Sequence, residues 1–172
     1  MLKLMIPQIA RDLARFTANY AVLALLFFSF ASKADVIEAE EAMAFGSFIK
    51  EMIRGSQFPS GHTAVCAIGK DEISKILSRE KNYIDLNTSP DQYKICSAIY
   101  VAVGNKKTVW VDVLKFNKAK VLTIGIFEGF AESGGIVQIQ MGRRNFELTL
   151  NQKMFKESGV RLSPLATSLV VN

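Results

Sequence analysis

Apolar positions along this chain recur with two periods, and the switches between them outline its elements. From Val36 to Arg54, Phe45, Phe48, Ile49, Met52 and Ile53 return every three or four residues, which places them on one stripe of a helix. Glu38, Glu40 and Glu41 fall in its first turns, where negative charge suits the helix dipole, and Gly55 follows Arg54 as a stop. The stripe predicts a helix packed on the sheet of its own domain, with a partner-binding helix as the alternative. Thr63 to Ile68 and Cys96 to Val103 are short continuous apolar runs ending at Gly69 and Gly104, as expected of strands covered on both faces. Between them, Asp71 can cap a short helix that carries Ile73, Ile76 and Leu77 inward, and Tyr83 to Leu86 adds a brief strand before the polar turn at Asn87 to Pro90. A helix from about Thr108 to Asn117 is predicted to bury Val109, Val113, Leu114 and Phe116; Trp110 and Val111 find no clear place on it.

The most informative stretch runs from Lys120 to Asn151. Val121 to Phe127 is a third apolar strand, and a glycine-rich bend follows it. Then Ile136 to Met141 alternates, with Val137, Ile139 and Met141 on one side and Gln138 and Gln140 on the other. Phe146, Leu148 and Leu150 alternate with Glu147 and Thr149, and Gly142 to Asn145 separates the two runs as a hairpin turn. The adjacent Gly134 and Gly135 predict backbone angles that other residues resist, at a point where the sheet could change from parallel to antiparallel. A last helix is expected from Asn151 to Ser158, stopped by Gly159. Strands alternating with helices predict an α/β fold: a single-layer mixed sheet, its parallel strands flanked by helices, with a C-terminal antiparallel hairpin.

Composition changes this picture at the amino terminus. Phe16 to Ser32 carries no charge, Lys3, Arg11 and Arg15 precede it, and Ser32-Lys33-Ala34 has small residues where a signal peptidase reads. We read residues 1–34 as a signal peptide cut after Ala34 and residues 35–172 as one exported domain; an uncleaved membrane anchor is the alternative. Removing Lys3, Arg11, Arg15, Lys33 and Asp12 leaves 17 basic against 15 acidic residues, so a net charge of +5 falls to +2. The apparent basicity is mostly export signal, and it gives no reason to propose nucleic acid as a partner.

Cys66 and Cys96 are the two cysteines, both beyond the leader. In an oxidising compartment an even pair is most simply a disulfide, whereas in a cytosolic protein it would be two buried thiols. With one histidine beside them, the ligands are too few for a metal site, and no cofactor is expected. Phe58 to Thr63 reads Phe-Pro-Ser-Gly-His-Thr, similar to the central motif of the membrane lipid phosphatase and acid phosphatase superfamily. That chemistry needs a second histidine as nucleophile and arginines clamping the phosphoryl group, and His62 stands alone. Pro59 to Gly61 is therefore taken as a turn, and the protein is not expected to be an enzyme. If a ligand binds at the carboxyl ends of parallel strands, as in open α/β sheets, the loop residues to watch are Asp71, Asn105, Glu128 and Phe130.

Several pieces in order resemble the YfiR-like family of periplasmic regulators: V-L-T-I at 121–124, F-E-G-F-A-E-S-G-G-I at 127–136, L-T-L-N at 148–151 and K-E-S-G-V-R-L-S-P-L-A at 156–166. V-C-A-I-G-K-D at 65–71 is similar to the family's first cysteine strand, and Cys96 falls where a second begins. Phe58-Pro59 stands where the family often has Trp-Pro, Leu148 replaces a usual phenylalanine, and Pro164 replaces a common serine. The resemblance implies a periplasmic protein that binds and represses the periplasmic sensor part of an inner-membrane diguanylate cyclase, and so acts on cyclic di-GMP and biofilm growth. The alternative it implies is a small-molecule-binding partner of a sensor kinase or other membrane receptor. Contact with the membrane would then run through the partner, unless the leader is retained; a homodimer is left open.

Overall fold

The computed structural model describes residues 38–102 and 106–171, without the side chains of 106–111. The expected leader with Ala34, the loop residue Asn105, and the side chains of Val109, Trp110 and Val111 lie outside that description. The elements are α1 (Ala39–Gly55), β1 (Ala64–Ile68), α2 (Glu72–Leu77), β2 (Tyr83–Asp85), β3 (Cys96–Val101), α3 (Lys106–Lys118), β4 (Leu122–Gly125), β5 (Val137–Met141), β6 (Phe146–Leu150), α4 (Gln152–Ser158) and α5 (Pro164–Thr167). A 3-10 segment, Pro90–Ile95, precedes β3 where only a polar turn was expected.

The described strands form one mixed sheet in the order β2-β1-β3-β4-β5-β6. Every neighbouring pair is parallel except β5 with β6. Helices lie on both faces, because the continuous apolar strands send alternate side chains to opposite sides and neither side is polar. On one face, Val65, Ala67, Ala98, Tyr100, Leu122, Ile124, Val137 and Ile139 meet the whole predicted stripe of α1 together with Ile73 and Leu77 of α2. Each fully buried large side chain there contributes about 1.5–3 kcal/mol. Phe146 of the hairpin stacks on Phe48 at 4.5 Å between ring centroids and tilts against Phe45 at 5.1 Å, so α1 is anchored from β1 across to β6. On the other face, Cys66, Cys96, Ile99 and Val101 pack with Val113 and Phe116 of α3, and with Leu86, Val121 and Phe130.

The fold class is as the pattern predicts, and four local expectations are corrected. First, the sheet does not reverse direction at Gly134-Gly135. β4 and β5 run parallel, and the reversal occurs at the hairpin turn, where the Gly142 N–H donates to the Asn145 carbonyl at 2.9 Å. Second, Leu114 is exposed, because α3 points Val113 and Phe116 at the sheet and Leu114 lies off that line. Third, Met141 is also exposed although it alternates with buried Val137 and Ile139; it lies beyond the pairing of β5 with β4, which ends at Gln138 opposite Gly125. Fourth, Gln138, on the side expected to be polar, is buried and holds the Ala131 N–H with its side-chain oxygen at 3.3 Å. The outer edge of β6 is covered by the chain's own end: the Leu148 N–H donates to the Leu169 carbonyl and the Val171 N–H to the Leu148 carbonyl, both at 2.9 Å.

Candidate functional site

The carboxyl ends of the parallel strands are built chiefly from groups already engaged with one another. Asp71 caps α2 in a capping box: its carboxylate accepts from the Ser74 N–H at 2.7 Å, while the Ser74 hydroxyl accepts from the Asp71 N–H at 2.9 Å. Its second oxygen accepts from the Tyr100 hydroxyl at 2.7 Å. Burial, and then the negative charge of Asp71, push the Tyr100 hydroxyl far above its ordinary value, so it stays a donor. Next to it, Asn87 accepts from the Gly69 N–H at 3.0 Å and donates to the Gly69 carbonyl at 3.1 Å, bridging two strand ends as a backbone would.

Asp71, Glu128 and Phe130, the described candidate loop residues, are not brought together. Asp71 reaches Tyr100 in the core on the α1 face, Phe130 is fully buried in the core on the α3 face, and Glu128 is exposed on a turn. Phe130 is thus a packing residue: an apolar ring in a glycine-rich loop has empty space on both sides, and here the ring fills it. A Cβ on Gly125 would stand 2.6 Å from its ring, and one on Gly135 would overlap it outright.

That bend, residues 126–136, is a crossover between parallel strands made without a helix. Successive turns carry it: Phe130 N–H to Phe127 carbonyl, Ser133 N–H to Gly129 carbonyl, and Gly135 N–H to Phe130 carbonyl at 2.9 Å. Side chains from four elements pin it. Thr123 accepts from the Ile136 N–H at 2.9 Å, Asn117 donates to the Gly134 carbonyl at 2.6 Å, Gln138 takes the Ala131 N–H, and Asn151 donates to the Ala131 carbonyl at 2.9 Å. Asn151 also caps α4 through the Met154 N–H. Cys66 and Cys96 are joined across neighbouring β1 and β3, with Cα atoms 5.9 Å apart, and both are buried under α3. The bridge expected for an oxidising compartment is formed.

Three surface depressions escaped the sequence reading. One lies at the amino-terminal ends of β1 and β3, between Lys50, Ile53 and Arg54 of α1 and Phe58, His62, Glu80 and Ser97. A second is an aromatic and basic hollow: Lys115 sits over the Tyr93 ring at 4.5 Å, Tyr93 tilts on Phe116, and Lys94, Leu114 and Lys118 complete it. A third follows the hairpin tip, from Arg143 and Arg144 to Val170 and Val171. Each draws on residues from distant segments. Among the described residues, no group of three or more His, Cys, Asp or Glu could hold a metal ion.

The YfiR/HmsC-like family model matches residues 54–169, from the end of α1 through the last helix. The chain belongs to that family. The YfiR/HmsC-like region therefore contains the whole sheet, the bridge and the pinned bend, while most of α1, which covers the first face, precedes it. The F-E-G-F-A-E-S-G-G-I segment marks the family in the sequence because each part has a fixed place: Phe130 in the core, glycines on either side of its ring, and Ile136 donating to Thr123. No curated protein matches the chain.

Proposed function

We propose that the protein is an exported regulator that binds the periplasmic sensor part of an inner-membrane diguanylate cyclase and holds it inactive, with residues 1–34 removed as a signal peptide after Ala34. Membership of the YfiR/HmsC-like family is the observation that carries this reading, since the family resemblance implies a regulator and not an enzyme. The bridge between Cys66 and Cys96 fits an oxidising compartment, and no helix among the described residues is long and apolar enough to cross a membrane.

For the contact itself we favour the hollow around Tyr93. Leu114 is 54% exposed there, and an aromatic ring lies among Lys94, Lys115 and Lys118, a mixture suited to an acidic partner surface with an apolar centre. Exported protein should be captured by the periplasmic domain of an inner-membrane diguanylate cyclase of the same cell, tested first with any encoded in the neighbouring genes, and deletion of the chain should raise cyclic di-GMP. Leu114→Asp with Lys115→Glu should weaken capture at least tenfold while leaving the melting temperature unchanged. If no such cyclase domain captures the protein and a sensor kinase domain does, the alternative partner is the right one.

A further inference from the structure

The depression at the amino-terminal ends of β1 and β3 combines an apolar floor with groups that have binding capacity to spare. Ile53 and Val65 are buried beneath it, Phe58 forms a wall, and its volume is about 280 Å³, near the lower end of the roughly 300–1,000 Å³ usual for small-molecule sites. Lys50, Ile53 and Arg54 enter it together because residues three and four apart share a helix face.

Its polar lining divides into engaged and unengaged groups. The Ser56 hydroxyl donates to the Met52 carbonyl and accepts from the Ser163 N–H; the Ser97 hydroxyl donates to the Ala64 carbonyl; Thr63 accepts from Asn82. These shape the wall. Lys50 is paired with Glu80 at 2.8 Å, both side chains largely covered, so that cation is neutralised. Arg54 spends one nitrogen on Glu51 in an exposed pair of little energetic weight, which leaves most of its five donors available. The His62 imidazole hydrogen-bonds to no described residue. With Glu51 counted, the charges of Lys50, Glu80, Arg54 and Glu51 balance, so what Arg54 offers is unused N–H donors and not surplus charge, and that suits a ligand with one anionic group better than one with two.

We propose that this pocket binds a small organic monocarboxylate, its apolar body on Ile53, Phe58 and Val65 and its carboxylate facing Arg54 and His62. Two parallel N–H donors of a guanidinium match a carboxylate, and a covered apolar floor discriminates such a ligand from a bare inorganic anion. The site is on the opposite strand ends from the loops where an α/β sheet usually collects ligands, and it involves no residue of the Tyr93 hollow. Its test is thus separate from that of partner capture.

The chain has one histidine, so its imidazole Cε1 proton gives a single NMR signal that reports the pocket directly. Exported, bridge-intact protein titrated with benzoate should show a saturable shift of that signal. Benzyl alcohol, of similar shape without the charge, and inorganic phosphate, with charge but no apolar body, should each produce at least tenfold weaker effects. Arg54→Gln removes a side chain that is 64% exposed and leaves the fold intact; it should weaken benzoate at least tenfold. Phe58→Ser should do the same by removing the apolar wall. An absent or non-saturating benzoate shift, equal binding of phosphate, or an unchanged affinity in Arg54→Gln would each overturn the assignment.

Discussion

Tyr100 shows how one side chain couples the sheet to a helix cap. Its hydroxyl is buried and donates to Asp71, the residue that starts α2. Burial first and Asp71 second raise its pKa in the folded protein, whereas the unfolded chain releases that proton near the usual value of about 10. Its contribution to stability is therefore complete below about pH 10 and declines as pH rises above it, by up to about 1.4 kcal/mol per pH unit. Tyr100→Phe should cost about 1–3 kcal/mol at neutral pH, because a charge-assisted hydrogen bond is lost, and should flatten the alkaline limb. Denaturant unfolding between pH 7 and 11 measures both; equal alkaline slopes in the two proteins would contradict the assignment. Tyr83, raised in the same direction by burial and then by Asp85 and Asp71, retains part of the slope. At this scale the sequence disclosed the cap but not its second partner. Asp71 ahead of an apolar run is a local signal, while Tyr100 lies in a strand far along the chain.

Among the elements, the bend between β4 and β5 separates two reasons for a glycine. Gly134 has φ +110 with open space around a Cβ, Leu114 being the nearest at 3.8 Å, so its requirement is one of backbone angle. Gly135 meets the Phe130 ring, so its requirement is contact. Gly134→Val should cost about 1–3 kcal/mol from backbone strain. Gly135→Val should cost about 3 kcal/mol or more, because the ring cannot retreat from a packed core. Urea midpoints at constant slope would rank them; the reverse order would mean the ring yields more readily than the backbone. The paired glycines were legible as a constraint, but their consequence was misplaced. Which strands pair in parallel depends on where β5 docks, and no run within 126–136 encodes it.

For the whole molecule, the bridge ties two neighbouring central strands and closes a loop whose ends are 30 residues apart, a stabilisation of about 3.5 kcal/mol in the chain-entropy model. Cys66→Ala with Cys96→Ala should lower the melting temperature by about 10 °C, measured by calorimetry. Both sulfurs are buried, so a thiolate reaches them only when the structure opens. Dithiothreitol should reduce the bridge slowly in native buffer and much faster in urea. Rapid native reduction would place the bridge in a mobile part of the fold instead.

Taken alone, the sequence determined the elements whose signals are local: the five-residue stripe of α1, the Asp71 cap, the strand runs at β1, β3 and β4, the hairpin and the stop at Gly159, where φ is +69. It also marked the family, since the bend's residues are contiguous. Only the tertiary structure decided the parallel pairing of β4 with β5, the exposure of Leu114 and Met141, the burial of Gln138 and Phe130, and the pocket that joins Lys50, His62 and Ser97. Periodicity states which residues share a face. What covers that face, and where it stops being covered, depends on segments distant in the chain.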